Sequence, residues 1–374
     1  MNRLILLGNG FDLAHGLKTS YSDFMLDLLK TNLQHFFTDC DVDHFSETYT
    51  YKNGPITVFK KGGNHISQES RDSVPRITTY LELKDFLRRF NISIHSTSSL
   101  SIFGHTYSHL ENFNWADVEA IYYDILLSIV DKNNVRKLSA GAKGQIEKLN
   151  QELDFFKDKL VNYLLRVQED ADLSKGLDKK AFWERILGAS DSFLPRRTQI
   201  LNFNYTSTIL NYGSLPNEID GRQIYVQVNN IHGRLEDSDS IIFGYGDEVD
   251  SFYKKMEDLN DNEVLRHAKS FGYFKNSNYQ TLLGFLEDGK FEVWLIGHSC
   301  GLSDRVMLKK IFEHSRCNHI KVYHYSRGGG NDHVEKTQQI SRHFKDKELM
   351  RERIKHFDPS DCITELLGGK IVKA

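Results

Sequence analysis

The sequence predicts an α/β fold: a mostly parallel sheet covered on both faces, with a large helical insertion. Three observations carry this. An apolar run, Leu4-Ile5-Leu6-Leu7, feeds directly into Gly8-Asn9-Gly10. After residue 195, short β-type runs alternate with helical stretches, and near-continuous apolar strands belong to sheets buried on both faces. Between these parts, from Ile77 to about Leu187, apolar residues recur at helical spacing.

Leu4–Leu7 reads as the first strand, and Gly8, Gly10 and Gly16 as the punctuation of a strand-to-helix turn. Glycines suit such a turn because side chains would keep the backbone from a diphosphate, so a nucleotide is the leading ligand class. The spacing Gly8-x-Gly10-x5-Gly16 departs from the six-residue dinucleotide fingerprint, which argues against an ordinary dehydrogenase. A helix is expected over Tyr21–Leu33, capped by Ser20 or Ser22. From Thr38 to Arg76 the chain turns polar, and Gly54-Pro55 and Gly62-Gly63 predict a hairpin around Tyr49–Phe59. Helical segments follow at Tyr80–Leu87, Ala116–Val130 and Ala142–Val167. Strands are expected at Thr198–Phe203, Ile224–Ile231, Ile241–Phe243, Glu292–Ile296 and Ile320–Tyr325, with a helix at Ser303–Phe312. Residues 1–35 and 196–374 would then form a Rossmann-like nucleotide-binding domain, and 36–195 a mainly helical insertion.

With 39% apolar and 26% charged residues the chain reads as an ordinary globular protein, and its net charge of −3 gives no global pull toward nucleic acid or acidic membranes. Between Arg305 and Lys355, however, thirteen Lys and Arg face six Asp and Glu. That excess suits a solvated helical face, or an anionic partner such as nucleic acid. Cysteines at 40, 300, 317 and 362 show no CxxC spacing, as expected of reduced thiols in the cytoplasm. No run approaches the length of a membrane span or a signal-peptide core, so no membrane association is expected.

Polar blocks interrupt this pattern. In Trp115-Ala116-Asp117-Val118-Glu119, Asn114 and Asp117 suit an N-cap with its reciprocal acid, and Glu119 has no assigned role. Asn204, Thr206, His232 and Gly233 lie where strands are expected to end, and carboxyl ends of parallel strands line the ligand crevice of open α/β sheets. A neutral amide such as Asn204 suits a ribose hydroxyl or a water, and an imidazole such as His232 suits a general base. Gly297-His298-Ser299-Cys300-Gly301 fits the nucleophile-elbow pattern, with Asp332-His333 as acid and base. Fewer than eighty residues follow it, however, and a serine hydrolase would leave Gly8–Gly16 and Asn204 without a task. His314, Cys317, His319 and His324 have no recognised zinc spacing.

Together the blocks resemble the abortive-infection AbiH family of bacterial anti-phage proteins. The resemblance rests on Leu6-Leu7-Gly8-Asn9-Gly10-Phe11-Asp12-Leu13-Ala14-His15-Gly16, on Trp115-x-Asp117-x-Glu119, and on Asn202-Phe203-Asn204-Tyr205-Thr206. Ile231-His232-Gly233 and Gly297-His298-Ser299-x-Gly301-x-x-Asp304 continue it in the same order. A more distant resemblance is to sirtuins and sirtuin-like NAD-cleaving domains: Gly8, Gly10 and Gly16 match their first motif, Asn204 their asparagine, His232-Gly233 their base, and Gly297 with Ser299 their late Gly-x-Ser. Thr206 stands where sirtuins carry an aspartate, Lys18 where they carry a proline, and their paired zinc cysteines have no counterpart.

That resemblance implies a sirtuin-like core that binds NAD or a related nucleotide and hydrolyses its nicotinamide glycosidic bond. Asn204 and His232 would be catalytic. Gly8, Asn9, Gly10, Phe11, Asp12, Gly16, Thr206, Gly233, Gly297, Ser299 and Asp304 would bind the nucleotide. A homo-oligomer and a phage-derived trigger are further expectations. A nucleotide sensor without turnover, and a nuclease using the basic region, are the rival classes.

Overall fold

The computed structural model describes residues 1–39, 48–62, 64–107, 115–133, 137–171, 177–188, 194–219, 221–246, 251–327 and 329–368. Cys40, Gly63 and the expected cap Asn114 lie outside them. Strands up to Val322 are β1 Asn2–Leu7, β2 Thr48–Asn53, β3 Ile56–Lys61, β4 Ile92–Ser96, β5 Arg197–Asn202, β6 Glu218–Ile219, β7 Arg222–Gln223, β8 Tyr225–Asn230, β9 Phe291–Ile296 and β10 Cys317–Val322. The chain divides into two compact units. One comprises Met1–Thr19, Leu164–Glu257 and His267–Ala374; the other comprises Ser20–Tyr163 and Asp258–Arg266. The expected boundaries at 35/36 and 195/196 therefore shift. Helix Tyr21–Asp39 groups with the second unit, because Tyr21 and Phe24 pack on Trp115.

The first unit is built on a five-stranded parallel sheet in the order β10-β9-β1-β5-β8. Leu4, Leu6, Leu201, Val293 and Leu295 enter the core on one face. Ile5, Leu7, Ile200, Trp294 and Ile296 enter the core on the other. Two buried faces explain why β1 and β9 read as apolar runs rather than as alternating patterns. The charged pair in these strands, Arg3 and Glu292, is buried with Nη2 and Oε1 2.6 Å apart, and the guanidinium lies 3.7 Å from the Trp294 ring centroid. After β1 the chain steps to β5 and β8 on one side, then returns to β9 and β10 on the other. The order thus reverses between β1 and β9, where open α/β sheets place their ligand crevice.

One expected strand is corrected. Ile241–Phe243 forms no ladder strand; its apolar residues are buried by loop packing, and the Ile242 N–H reaches the His232 carbonyl at 2.9 Å.

The second unit carries helices Tyr21–Asp39 and Trp115–Asn133, and it is not only helical. The expected hairpin is β2 and β3, and β4 adds a third antiparallel strand. Ser20 caps the first helix as expected, its Oγ accepting from the Asp23 N–H at 3.1 Å. Glu119 is buried within this unit. No helix among the described residues is long and apolar enough to cross a membrane.

Candidate functional site

The site is assembled in the first unit at the carboxyl ends of β1, β5, β8 and β9. It begins with the glycines. A Cβ added to Gly8 would lie 2.5 Å from the His298 Cα, and one on Gly10 would lie 2.7 Å from the Gly297 Cα. The Gly8 and Gly10 N–H groups donate to the carbonyls of Ile296 and Gly297 at 3.0 and 2.9 Å. The close backbone approach that these glycines allow is therefore made to a second glycine loop of the same protein. Gly16, at φ +77°, ends the short helix Asn9–Ala14 in the left-handed conformation that favours glycine. The Asn9 amide accepts from the Thr19 hydroxyl at 2.6 Å and donates to the Thr19 carbonyl at 3.1 Å. Phe11 is a core residue, fully buried against His15, Phe182 and Tyr212.

The loop after β5 is fastened to the same turn. The Asn204 Nδ2 donates to the Gly8 carbonyl at 3.1 Å and to Asp12 Oδ1 at 3.3 Å, while the Thr206 hydroxyl donates to Asp12 Oδ2 at 2.5 Å. Asp12 is almost completely buried, and desolvation pushes its carboxyl up to about 6 against the pull of Thr206 and Thr208. A carboxyl raised in the folded state binds its proton more tightly there. Its stabilising contribution is full below the unfolded value of 3.8 and is lost as pH rises through about 6. Between about pH 4 and about pH 7.5, wild type should therefore lose about 2–3 kcal/mol relative to Asp12→Asn in denaturant melts. A pH-independent difference would show that Asp12 titrates normally.

His232 lies two residues beyond the end of β8. Gly233 turns the chain at φ +88°, where a Cβ would lie 2.4 Å from the Ser240 carbonyl oxygen. The His232 Nε2 lies 3.0 Å from Asp304 Oδ1. The same Oδ1 accepts from the Lys269 ammonium at 3.0 Å, and Lys269 is 2% exposed. On the other carboxylate oxygen, the His298 Nε2 stands 3.8 Å away. His298 Nδ1 accepts from the Cys300 N–H at 3.0 Å, which places the ring proton on Nε2, toward Asp304. Burial holds His298 neutral, down to about 3. Burial also opposes the charge on Asp304, but Lys269, His232 and His298 together outweigh it and hold the carboxyl well below its usual value. The Phe203 ring packs on both imidazoles, with centroids 5.1 Å from His232 and 4.1 Å from His298.

The loop after β9 does not form a nucleophile elbow. Its left-handed residues are Gly297 and Cys300, at φ +71° and +55°, rather than Ser299, which is exposed. Among the described residues Ser299 makes no hydrogen bond to a histidine, and burial pushes the Cys300 thiol up to about 12, away from nucleophilic use. The basic C-terminal stretch is partly neutralised: Lys321 pairs with Asp361, Lys336 with Asp332 and Arg316 with Glu287, and Arg353 is buried on the Phe312 carbonyl.

The fold thus brings Gly8, Gly10, Asp12, Asn204, Thr206, His232, Gly297 and Asp304 to one rim of the sheet. It places Phe11 and Gly16 in structural roles. It adds Lys269, which sequence reasoning missed. Lys269 opens the short helix Lys269–Gly272, in a polar stretch with no motif, and only the tertiary fold delivers it to Asp304.

No curated protein matches the chain. A family model described as bacteriophage abortive infection AbiH matches residues 4–325, spanning β1 through β10 and every residue of the site. The chain belongs to the AbiH family of bacteriophage abortive infection.

Proposed function

We propose that this AbiH protein acts in phage defence by binding NAD or a related nucleotide at the carboxyl rim of a Rossmann-like sheet and hydrolysing its nicotinamide glycosidic bond. The observation that carries this reading is His232, fixed at the end of β8 with Nε2 against the buried Asp304 carboxylate. Nδ1 is then the ring nitrogen through which a proton would pass. The strand order also supports it: counted along the chain it is 3-2-1-4-5, the order of doubly wound dinucleotide-binding sheets.

The residues fit the reacting end of such a nucleotide better than its diphosphate, because the Gly8 and Gly10 N–H groups are already bonded to protein carbonyls. A nicotinamide nucleotide supplies a bond between ribose and a cationic pyridinium ring, whose cleavage leaves positive charge on the ribosyl carbon. His232 would take a proton from the attacking water, and Asp304 would hold the imidazole in register. Asn204 has its amide nitrogen fixed by Gly8 and Asp12, and it would shape the pocket wall beside the ribose.

Purified protein incubated with NAD should release nicotinamide. His232→Ala should lower that rate about 100- to 10,000-fold, the usual worth of a positioned base, while circular dichroism shows the variant still folded. Saturable NAD binding without product over hours would turn the reading into that of a nucleotide sensor. Neither binding nor release would overturn it.

A further inference from the structure

We infer that Lys269 is a positioning residue whose ammonium balances the Asp304 carboxylate and so keeps His232 neutral, ready to accept a proton. The inference rests on the reading of His232 as the base, but it concerns the charge state of the ring and is measurable without any nucleotide.

Lys269 and His232 both meet the same carboxylate oxygen, each at 3.0 Å. A carboxylate alone at that distance favours the imidazolium, which cannot act as a base. An ammonium on the same oxygen cancels most of that field. Burial makes the effect large: the Lys269 side chain is 1% exposed and that of Asp304 is 9% exposed, so water screens neither. His298, itself neutral, reaches Asp304 from the opposite oxygen. Among the described residues the ring of Phe203 and the phenol rings of Tyr205 and Tyr273 also face His232, while the charges of Lys336 and His343 act on His298. Asp304 held well below its usual value agrees with a carboxylate that carries its charge throughout the working pH range.

The test follows the His232 ring signal by NMR against pH in the full chain labelled at histidine, assigned with His232→Gln. Lys269→Gln should raise the His232 midpoint by about one unit or more, and Lys269→Arg should leave it within a few tenths. Asp304→Asn leaves the ammonium unbalanced and should lower the midpoint by a similar amount, and Asp304→Asn combined with Lys269→Gln should restore it. A Lys269→Gln midpoint equal to wild type would overturn the inference. If that variant does not fold, equal midpoints in Asp304→Asn and in the double variant would do the same. A failure to release nicotinamide alongside the expected titration shifts refutes the reaction and leaves the role of Lys269 standing. Should cleavage be observed, the acid limb of its pH profile must move up with the Lys269→Gln midpoint, a shift that loss of packing alone would not produce.

Discussion

Gly297→Ala is expected to destabilise the protein by about 3–5 kcal/mol, far beyond an ordinary surface change, because two costs add. The residue sits at φ +71°, a conformation that an alanine adopts only with strain, and its Cβ would stand 2.4 Å from the Phe11 nitrogen and 2.7 Å from the Gly10 carbonyl carbon. Both neighbours are backbone, so no rotamer change relieves the clash. They can retreat only by breaking the hydrogen bond from the Gly10 N–H to the Gly297 carbonyl, which ties the loop after β1 to the loop after β9. The control is Gly284→Ala in the helix Asn278–Glu287, where an added Cβ meets nothing within 4 Å. There, alanine should stabilise by roughly 0.5–1 kcal/mol through helix propensity. Urea melts of both variants decide the matter. If Gly297→Ala costs no more than about 1 kcal/mol, the two loops are not locked as described.

That prediction also shows where sequence reading reached its limit. Gly8, Gly10 and Gly297 were legible as positions of close backbone approach, since nothing but a missing side chain explains such spacing in a strand-to-helix turn. What approaches them was not legible: a glycine signals proximity, not whether a ligand or another loop comes near. The central strands were legible because burial on both faces writes an apolar run, as in Leu4–Leu7 and Glu292–Ile296. The same logic misled at Ile241–Phe243, where apolar residues are buried by loop packing without a ladder. β4 was missed because five residues, Ile92–Ser96, alternate too briefly to stand out beside a strong helical pattern. Asn204 and His232 were placed at strand ends by position alone, and the structure puts both at the rim. Lys269 had no such signal, because a buried lysine is identified by its partner, and Asp304 lies 35 positions along the chain.

Asp304→Ala should be the second variant with a large effect, at about 3–5 kcal/mol, because removing one partner of a buried pair leaves the other charge uncompensated. Lys269 would keep an ammonium in a site 2% exposed, or lose its proton, and either change costs stability. Replacing both partners by apolar side chains of similar size, Asp304→Leu with Lys269→Met, removes both desolvation penalties together. The double variant should therefore be more stable than Asp304→Leu alone, with a coupling between positions 304 and 269 of at least about 2 kcal/mol in the cycle formed with the two single variants, Asp304→Leu and Lys269→Met. This is a statement about stability, and it separates cleanly from chemistry. The double variant would restore the fold without restoring the carboxylate beside His232, so it should melt near wild type and still fail wherever that histidine must be held in place. Additive effects at the two positions would mean that the pair contributes nothing through its charges, and that the rim is held instead by contacts such as the paired glycine loops and the Asn204 and Thr206 hydrogen bonds to the turn after β1.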